Sequence, residues 1–379
     1  MRAQILLPSP DSLRLCAEAL LRDEVVGMPT ETVYGLAGAA FQPEALARIF
    51  ETKERPTFDP LIIHVGMNSK SLFALADQRL VDMSCMSDTA RLRAELLIRK
   101  FWPGPLTLVL PKHGDVPELA TSGLASVALR MPSHRVALQL LAEAGIPLAA
   151  PSANRFGRIS PTTAQAVADE LGDRIDLILD GGPCEVGVES TVIRVETDGA
   201  LTQLRPGGLA RSVLEEAAGC EIQVHGSSAN PGGNASTGMA APGMLASHYA
   251  PSKPMHLLPA RISQLEANHW QELLNRAGGN AHELGFLLQS GDSDEALESE
   301  VRQRLTAAGL AGSPSSVRLH FVSLTRTGDL HEAARRLFSC LRQLDESPAQ
   351  VLFAEPILAD RGLGHAIADR LSRACAKRS

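Results

Sequence analysis

The sequence predicts an α/β protein of two domains, and three observations carry that expectation. Short apolar runs typical of buried strands are interspersed with amphipathic helical stretches through residues 10–206. A stretch poor in large apolar side chains follows, and beyond it strands and helices alternate strictly towards the end of the chain. The length of 379 residues, 44% of them hydrophobic, is enough for two cores, since a domain usually holds roughly 100–200 residues.

In the first domain, Leu13, Ala17, Leu20 and Leu21 recur at helical spacing, and residues 25–29 read as a short buried strand. Further strands are expected at 61–65, 106–110, 127–131, 148–150, 177–179 and 191–195, with helices at 43–52, 133–144 and 162–171. Several of these strands follow one another without a helix, so the twisted sheet of this domain, residues 1–208, is expected to be mixed. From Gly226 to Gly243 the run GSSANPGGNASTGMAAPG cannot bury enough surface to fix itself, and the segment 209–254 is taken as a linker. After it, strands at 255–258, 284–288, 317–322 and 350–353 alternate with helices at 262–276, 294–308, 330–344 and 364–374. This pattern predicts a smaller Rossmann-like parallel α/β domain over residues 255–379.

Composition excludes several classes of function. With 36 basic and 43 acidic residues the net charge is -7, which argues against a protein that wraps a polyanion over a wide face. Six cysteines are scattered without a CxxC pair, so neither a disulfide framework nor a structural zinc site is expected, and a reducing cytosol fits. The opening MRAQILLPSPDS has one charge before a short apolar run that meets two prolines, so neither a signal peptide nor a membrane span is expected there.

The chemistry is expected in a few polar motifs. PTETVYG, residues 29–35, follows a buried strand and puts two threonines, a glutamate and a tyrosine where the chain leaves the sheet, a place that commonly faces a ligand and equally suits a turn with a helix cap. Lys53 and Arg55 in TKERPTFDPLIIHV suit a triphosphate, lysine as a point charge and arginine as a fork; the same spacing also fits a solvated helix end. His64 ends the next strand, where a satisfied core histidine is the plainer reading. FWPGPLTLVL reads as scaffold. Arg130 ends the apolar run SVALRMP, where either an internal or a substrate carboxylate must balance it, and the strand pattern alone favours the internal one. In AAPSANRFGRISPT the small residues permit close backbone approach, while Ser152, Asn154 and Ser160 can read a base or a phosphate edge. GGPCEVGVESTV adds Glu189 and Ser190 beside two loop glycines, by itself a weak signal.

Together, PTETVYG, KxRP followed by PLIxH, FWPGPLT, VALRMP, PSANxxGxxSPT, GVESTV and LRPGG resemble the threonylcarbamoyl-AMP synthases, and seven motifs in order make a chance match negligible. APGMLASHYAPSKP, residues 241–254, is similar to the HYAP segment of the family's long form, which carries an extra C-terminal domain. The resemblance implies a YrdC-like first domain and an enzyme that joins L-threonine, bicarbonate and ATP, with Mg²⁺ accompanying the nucleotide, into threonylcarbamoyl-AMP and pyrophosphate. The intermediate would pass to the tRNA threonylcarbamoyl transferase machinery, with weak contact to tRNA or double-stranded RNA at most. By resemblance Thr32, His64, Arg130, Ala150 and Ser190 surround threonine, with Arg130 facing its carboxylate. Arg55, Asp59, Ser126, Ser152, Asn154, Ser160, Arg205 and Tyr249 surround ATP, Tyr249 as part of a lid, while Lys53 and Arg55 stabilise the transition state.

Two positions depart from the family. Asp59 stands where asparagine is usual and would set a negative charge near phosphates unless Mg²⁺ or Arg55 offsets it. Leu245 and Ala246 replace basic residues, leaving His248, Tyr249 and backbone for any phosphate contact there. Three rival readings remain. One is a non-catalytic double-stranded RNA module with Lys53, Arg55, Arg155 and Arg158 as a basic wall. Another is a carbamoyl-transfer domain of a larger maturation enzyme, and the last a regulatory nucleotide-binding second domain.

Overall fold

The computed structural model describes residues 3–225, 248–277, 282–291, 295–309, 317–357 and 362–376, in two units. The strands of the first are β1 (Gln4–Leu6), β2 (Val26–Met28), β3 (Gly35–Ala39), β4 (Ile62–His64), β5 (Leu106–Pro111), β6 (Ser126–Arg130), β7 (Leu148–Ala149), β8 (Leu177–Leu179), β9 (Thr191–Val195), β10 (Leu201–Arg205) and β11 (Ile222–Val224). They form one sheet in the order β1-β8-β2-β3-β7-β4-β6-β5-β9-β10-β11. β4 runs parallel to β6 and β5 parallel to β9, whereas β3 and β4 are antiparallel to β7 and β5 is antiparallel to β6. The expected mixed sheet is therefore present, and its middle strands are buried except at Ser126, the first residue of β6, which is why they read as mainly apolar runs.

Local sequence explains the helices that flank this sheet. Pro10–Leu21 starts at Ser9, whose hydroxyl accepts from Ser12 N, and proline occupies its first turn. Its Leu13, Cys16, Ala17 and Leu20 pack with Val136, Leu140 and Leu141 of helix Arg135–Ala144. Helix Asp88–Phe101, unread from sequence, is capped by Ser87 and buries Ala90, Ala94, Leu97 and Ile98. Its apolar face is half alanine, so its periodic signal is weak.

The segment taken as a linker needs correcting at its start. Helix Arg211–Ala218 buries Leu214 and Ala218 in the main core, and β11 pairs in parallel with β10, so residues up to 225 continue the first unit. The glycine-rich run 226–243 lies outside the described residues.

Among the described residues the second unit has four strands, β12 (Met255–Leu257), β13 (Glu283–Leu288), β14 (Arg318–Ser323) and β15 (Val351–Ala354), all parallel in the order β12-β15-β13-β14. Trp270, Leu273, Phe286, Val301, Leu305 and Phe353 share its core. The helix expected at 262–276 is broken: a 3-10 turn, Ile262–Gln264, whose first N–H donates to the buried carboxylate of Glu355 at 2.8 Å, ends in extended backbone at Leu265 (ψ 130°) before helix Ala267–Ala277.

Candidate active site

Ends of strands set the first part of the site. His64 and Arg130 stand opposite each other in the parallel register of β4 and β6, at the same carboxyl-terminal edge. Arg130 is buried, so its guanidinium needs partners. Its Nη1 donates to Thr32 Oγ1 at 2.8 Å and its Nε to Gly104 O, in the FWPGPLT turn, at 3.3 Å. Its Nη2 lies 2.6 Å from Oε1 of Glu31, which is equally buried. An internal carboxylate, from the first motif, thus lies against Arg130, as the strand pattern alone favoured. Neither Glu31 oxygen, nor Arg130 Nη2, makes an aligned hydrogen bond.

The backbone around Glu31 is held by its neighbours. Thr30 Oγ1 accepts from the N–H groups of Thr32 and Val33, both at 3.2 Å, and donates to Val33 O at 2.6 Å, a hydroxyl-stabilised turn. Val186 N donates to Glu31 O at 2.8 Å, and Tyr34 OH donates to Gly182 O at 2.8 Å. The motif therefore enters β3 directly, and the helix-cap alternative does not hold. His64 is buried too. Burial first, then the charge of Arg130, hold its pKa down to about 3, so the ring is neutral near pH 7, and its Nδ1 has no hydrogen-bond partner.

The second part forms where helix Pro43–Lys53 ends. Glu54 adopts a left-handed conformation, φ 53°, and stops the helix between the two cations. Lys53 is 1% and Arg55 7% exposed, which excludes a solvated helix end. Lys53 Nζ donates to the carbonyls of Ser152 and Asn154 and so holds the PSAN loop. Burial first, then the Arg55 charge, pushes the Lys53 pKa well below its usual value, opposed by Asp59 and Glu170. Arg55 donates through Nε to Asp59 O at 3.0 Å and through Nη2 to Pro60 O at 2.8 Å, with Asp59 Oδ2 2.9 Å from Nη2. Asp59 is thereby neutralised within the protein. With Lys53 and Arg55 buried, the basic wall of the RNA-binding alternative does not exist in the proposed form.

The third part gathers around β5, β9 and β10. Ser160 Oγ donates to Glu189 Oε1 at 2.7 Å in a buried contact. Ser190 Oγ lies 2.7 Å from Thr107 Oγ1, while Arg205 donates to Ser190 O through Nε and Nη2, at 3.2 and 3.1 Å. Gly207 follows in the RPGG turn, where a Cβ would lie 2.3 Å from Glu189 O, Ser190 C and Thr191 N; only glycine permits that approach. Ala150 follows β7 and donates its N–H to Ile62 O at 3.0 Å, and Ser126, partly exposed, opens β6.

The other expected residues of the first unit fall into these three groups, whereas Ser126 stands at the opposite end of β6 from Arg130, paired with Pro111. Tyr249 belongs to the second unit, where its buried ring lies 5.5 Å from Phe338 and 5.3 Å from the Arg370 guanidinium; Leu245 and Ala246 lie outside the described residues. Sequence reading assigned no role to Glu31, Thr107 or Glu189. Glu31 was legible in principle, because Arg130 demanded a carboxylate and PTETVYG carries one. Among the described residues no group of three or more His, Cys, Asp or Glu side chains could hold a metal ion. No helix among them is long and apolar enough to cross a membrane.

A mixed-sheet α/β unit that gathers buried cations, carboxylates and hydroxyls near its strand ends, followed by a parallel α/β unit, defines the class: a two-domain α/β protein with a buried polar site in its first unit. Residues 18–207 match the Sua5, YciO and YrdC family, described as "Telomere recombination", and residues 210–376 match "Threonylcarbamoyl-AMP synthase, C-terminal domain". The threonylcarbamoyl-AMP synthase of Pyrococcus abyssi is 37% identical over 96% of this chain and 93% of its own, and that of Bacillus subtilis 36% identical over 96% and 92%. The crystal structure of P. abyssi Sua5 complexed with L-threonine is similar with a TM-score of 0.78 and 35% identity, covering 99% of this chain and 98% of the other. The chain belongs to the threonylcarbamoyl-AMP synthase family, in its two-domain form.

Proposed function

We infer that this protein is a nucleotidyltransferase that forms threonylcarbamoyl-AMP and pyrophosphate from L-threonine, bicarbonate and ATP. The observation that carries this reading is the end-to-end similarity to synthases, one of them crystallised with L-threonine. The threonine amine and bicarbonate give a carbamate, whose oxygen attacks the α-phosphate in line as pyrophosphate leaves; positioning and charge stabilisation do most of that work. Arg130, Thr32, His64, Ala150 and Ser190 form the threonine pocket in this reading. A neutral His64 suits it, since it can share a hydrogen bond with a hydroxyl without adding charge.

The nucleotide pocket takes Arg55, Asp59, Ser126, Ser152, Asn154, Ser160 and Arg205. Lys53 contributes through the loop it holds and through its charge. Mg²⁺ enters with ATP as part of the substrate, bound chiefly by phosphate oxygens and water. The product passes to the transferase that modifies tRNA, and six unpaired cysteines fit a reducing cytosol. The test is pyrophosphate release from ATP. It is expected only when threonine and bicarbonate are both present, and release indifferent to threonine would overturn the reading.

A further inference from the structure

We propose that Glu31 is the residue that receives the α-ammonium group of threonine and takes its proton, so that a free amine meets bicarbonate. The proposal rests on the threonine-dependent reaction inferred above and assigns it a base. Four observations support it. Glu31 is 3% exposed, yet neither of its oxygens accepts an aligned hydrogen bond. Arg130 Nη2, 2.6 Å away, is likewise without one, while the other nitrogens of that guanidinium are directed to Thr32 and Gly104. The Thr30 turn and the Val186 contact hold the Glu31 backbone, so the carboxylate is presented by a fixed element. Finally, an anion and a cation side by side, each with unused hydrogen-bonding capacity, complement a zwitterion: an α-carboxylate for Arg130 and an α-ammonium for Glu31.

A plain counter-ion role does not account for this arrangement. A carboxylate whose only task is to neutralise an arginine is best served by aligned, bidentate hydrogen bonds, and here the two charges touch without them. The chemistry also needs a proton acceptor. Threonine arrives with a protonated amine that has no lone pair. Transfer of one proton from its nitrogen to a Glu31 oxygen frees the pair. The nitrogen then forms a bond to the bicarbonate carbon, a carbon–oxygen bond breaks, water leaves, and the carbamate anion remains for attack on ATP. The proton on Glu31 passes to solvent, which balances the sequence.

Two measurements decide the matter. Wild-type protein is titrated with L-threonine and with 3-hydroxybutyrate, the same molecule without its amine. A buried carboxylate facing that amine predicts a preference for threonine of ~100-fold, and equal binding overturns the proposal without any variant. Glu31→Gln should lose this preference while still binding ATP, which reports that it is folded. Its kcat/KM for threonine should rise about tenfold per pH unit towards alkaline pH, where free amine is already present in solution, while the wild-type profile is flatter. A Glu31→Gln protein that keeps the preference and the wild-type profile returns Glu31 to the role of counter-ion. Wild-type pyrophosphate release that is indifferent to threonine refutes the underlying function instead, so the two failures are distinct.

Discussion

Lys53 separates two kinds of work a buried cation can do. Its ammonium is committed to the Ser152 and Asn154 carbonyls, so its first effect is on the shape of the PSAN loop. Lys53→Met would remove the ammonium donor from both carbonyls, of which Ser152 O keeps the Asn154 N–H at 3.0 Å, at a cost of about 1–3 kcal/mol. We expect urea unfolding to show a loss of about 1–3 kcal/mol, with ATP affinity falling in parallel. Full stability with lost turnover would instead assign the charge directly to the phosphates. At this scale sequence was a partial guide. Residue types at Lys53, Arg55 and Arg130 announced charge, but their burial and partners depend on chain segments up to a hundred positions away, as with Glu31 and Arg130.

Among the elements, the turns matter more than the strands they join. The seven strands expected in the first domain all form, because two-sided burial makes each an apolar run. β1, β3, β10 and β11 were unread. β3, GLAGA, is too small-sided to look like a strand, although its glycines permit close packing, with a Cβ at Gly38 only 3.1 Å from Ile49 Cδ1. β10, LTQLR, is too polar to stand out, though it is buried throughout. The RPGG turn after β10 carries a sharper consequence. Gly207→Ala forces a methyl group against the Glu189–Thr191 backbone, which cannot give as a flexible side chain would. Overpacking of this kind costs about 1–3 kcal/mol. A melting curve should show that loss together with weaker threonine binding, since Ser190 and Arg205 move with the turn. Unchanged threonine affinity would detach the turn from the site.

For the molecule as a whole, the buried site links stability to pH. The folded-state pKa of His64, about 3, lies below the value near 6.5 expected when unfolded. The unfolded chain therefore binds a proton that the folded one refuses, and stability falls as pH drops below about 6.5, by about 1.4 kcal/mol per unit until the folded-state pKa is reached. Between pH 7 and pH 5 wild type should lose about 2 kcal/mol more than His64→Gln in urea titrations. Equal losses would mean that His64 accepts a proton while folded.

Sequence by itself determined the division into a mixed-sheet and a parallel α/β part, the position of most strands, and the family, because these follow from local apolar patterning and from motifs contiguous in the chain. Tertiary structure alone decided that residues 209–225 continue the first unit, that Asp59 is answered by Arg55, that Lys53 serves a loop, and that Glu31 faces Arg130. Each of those depends on which distant groups share a dry neighbourhood, where a charge must find a partner, and no local pattern encodes that choice.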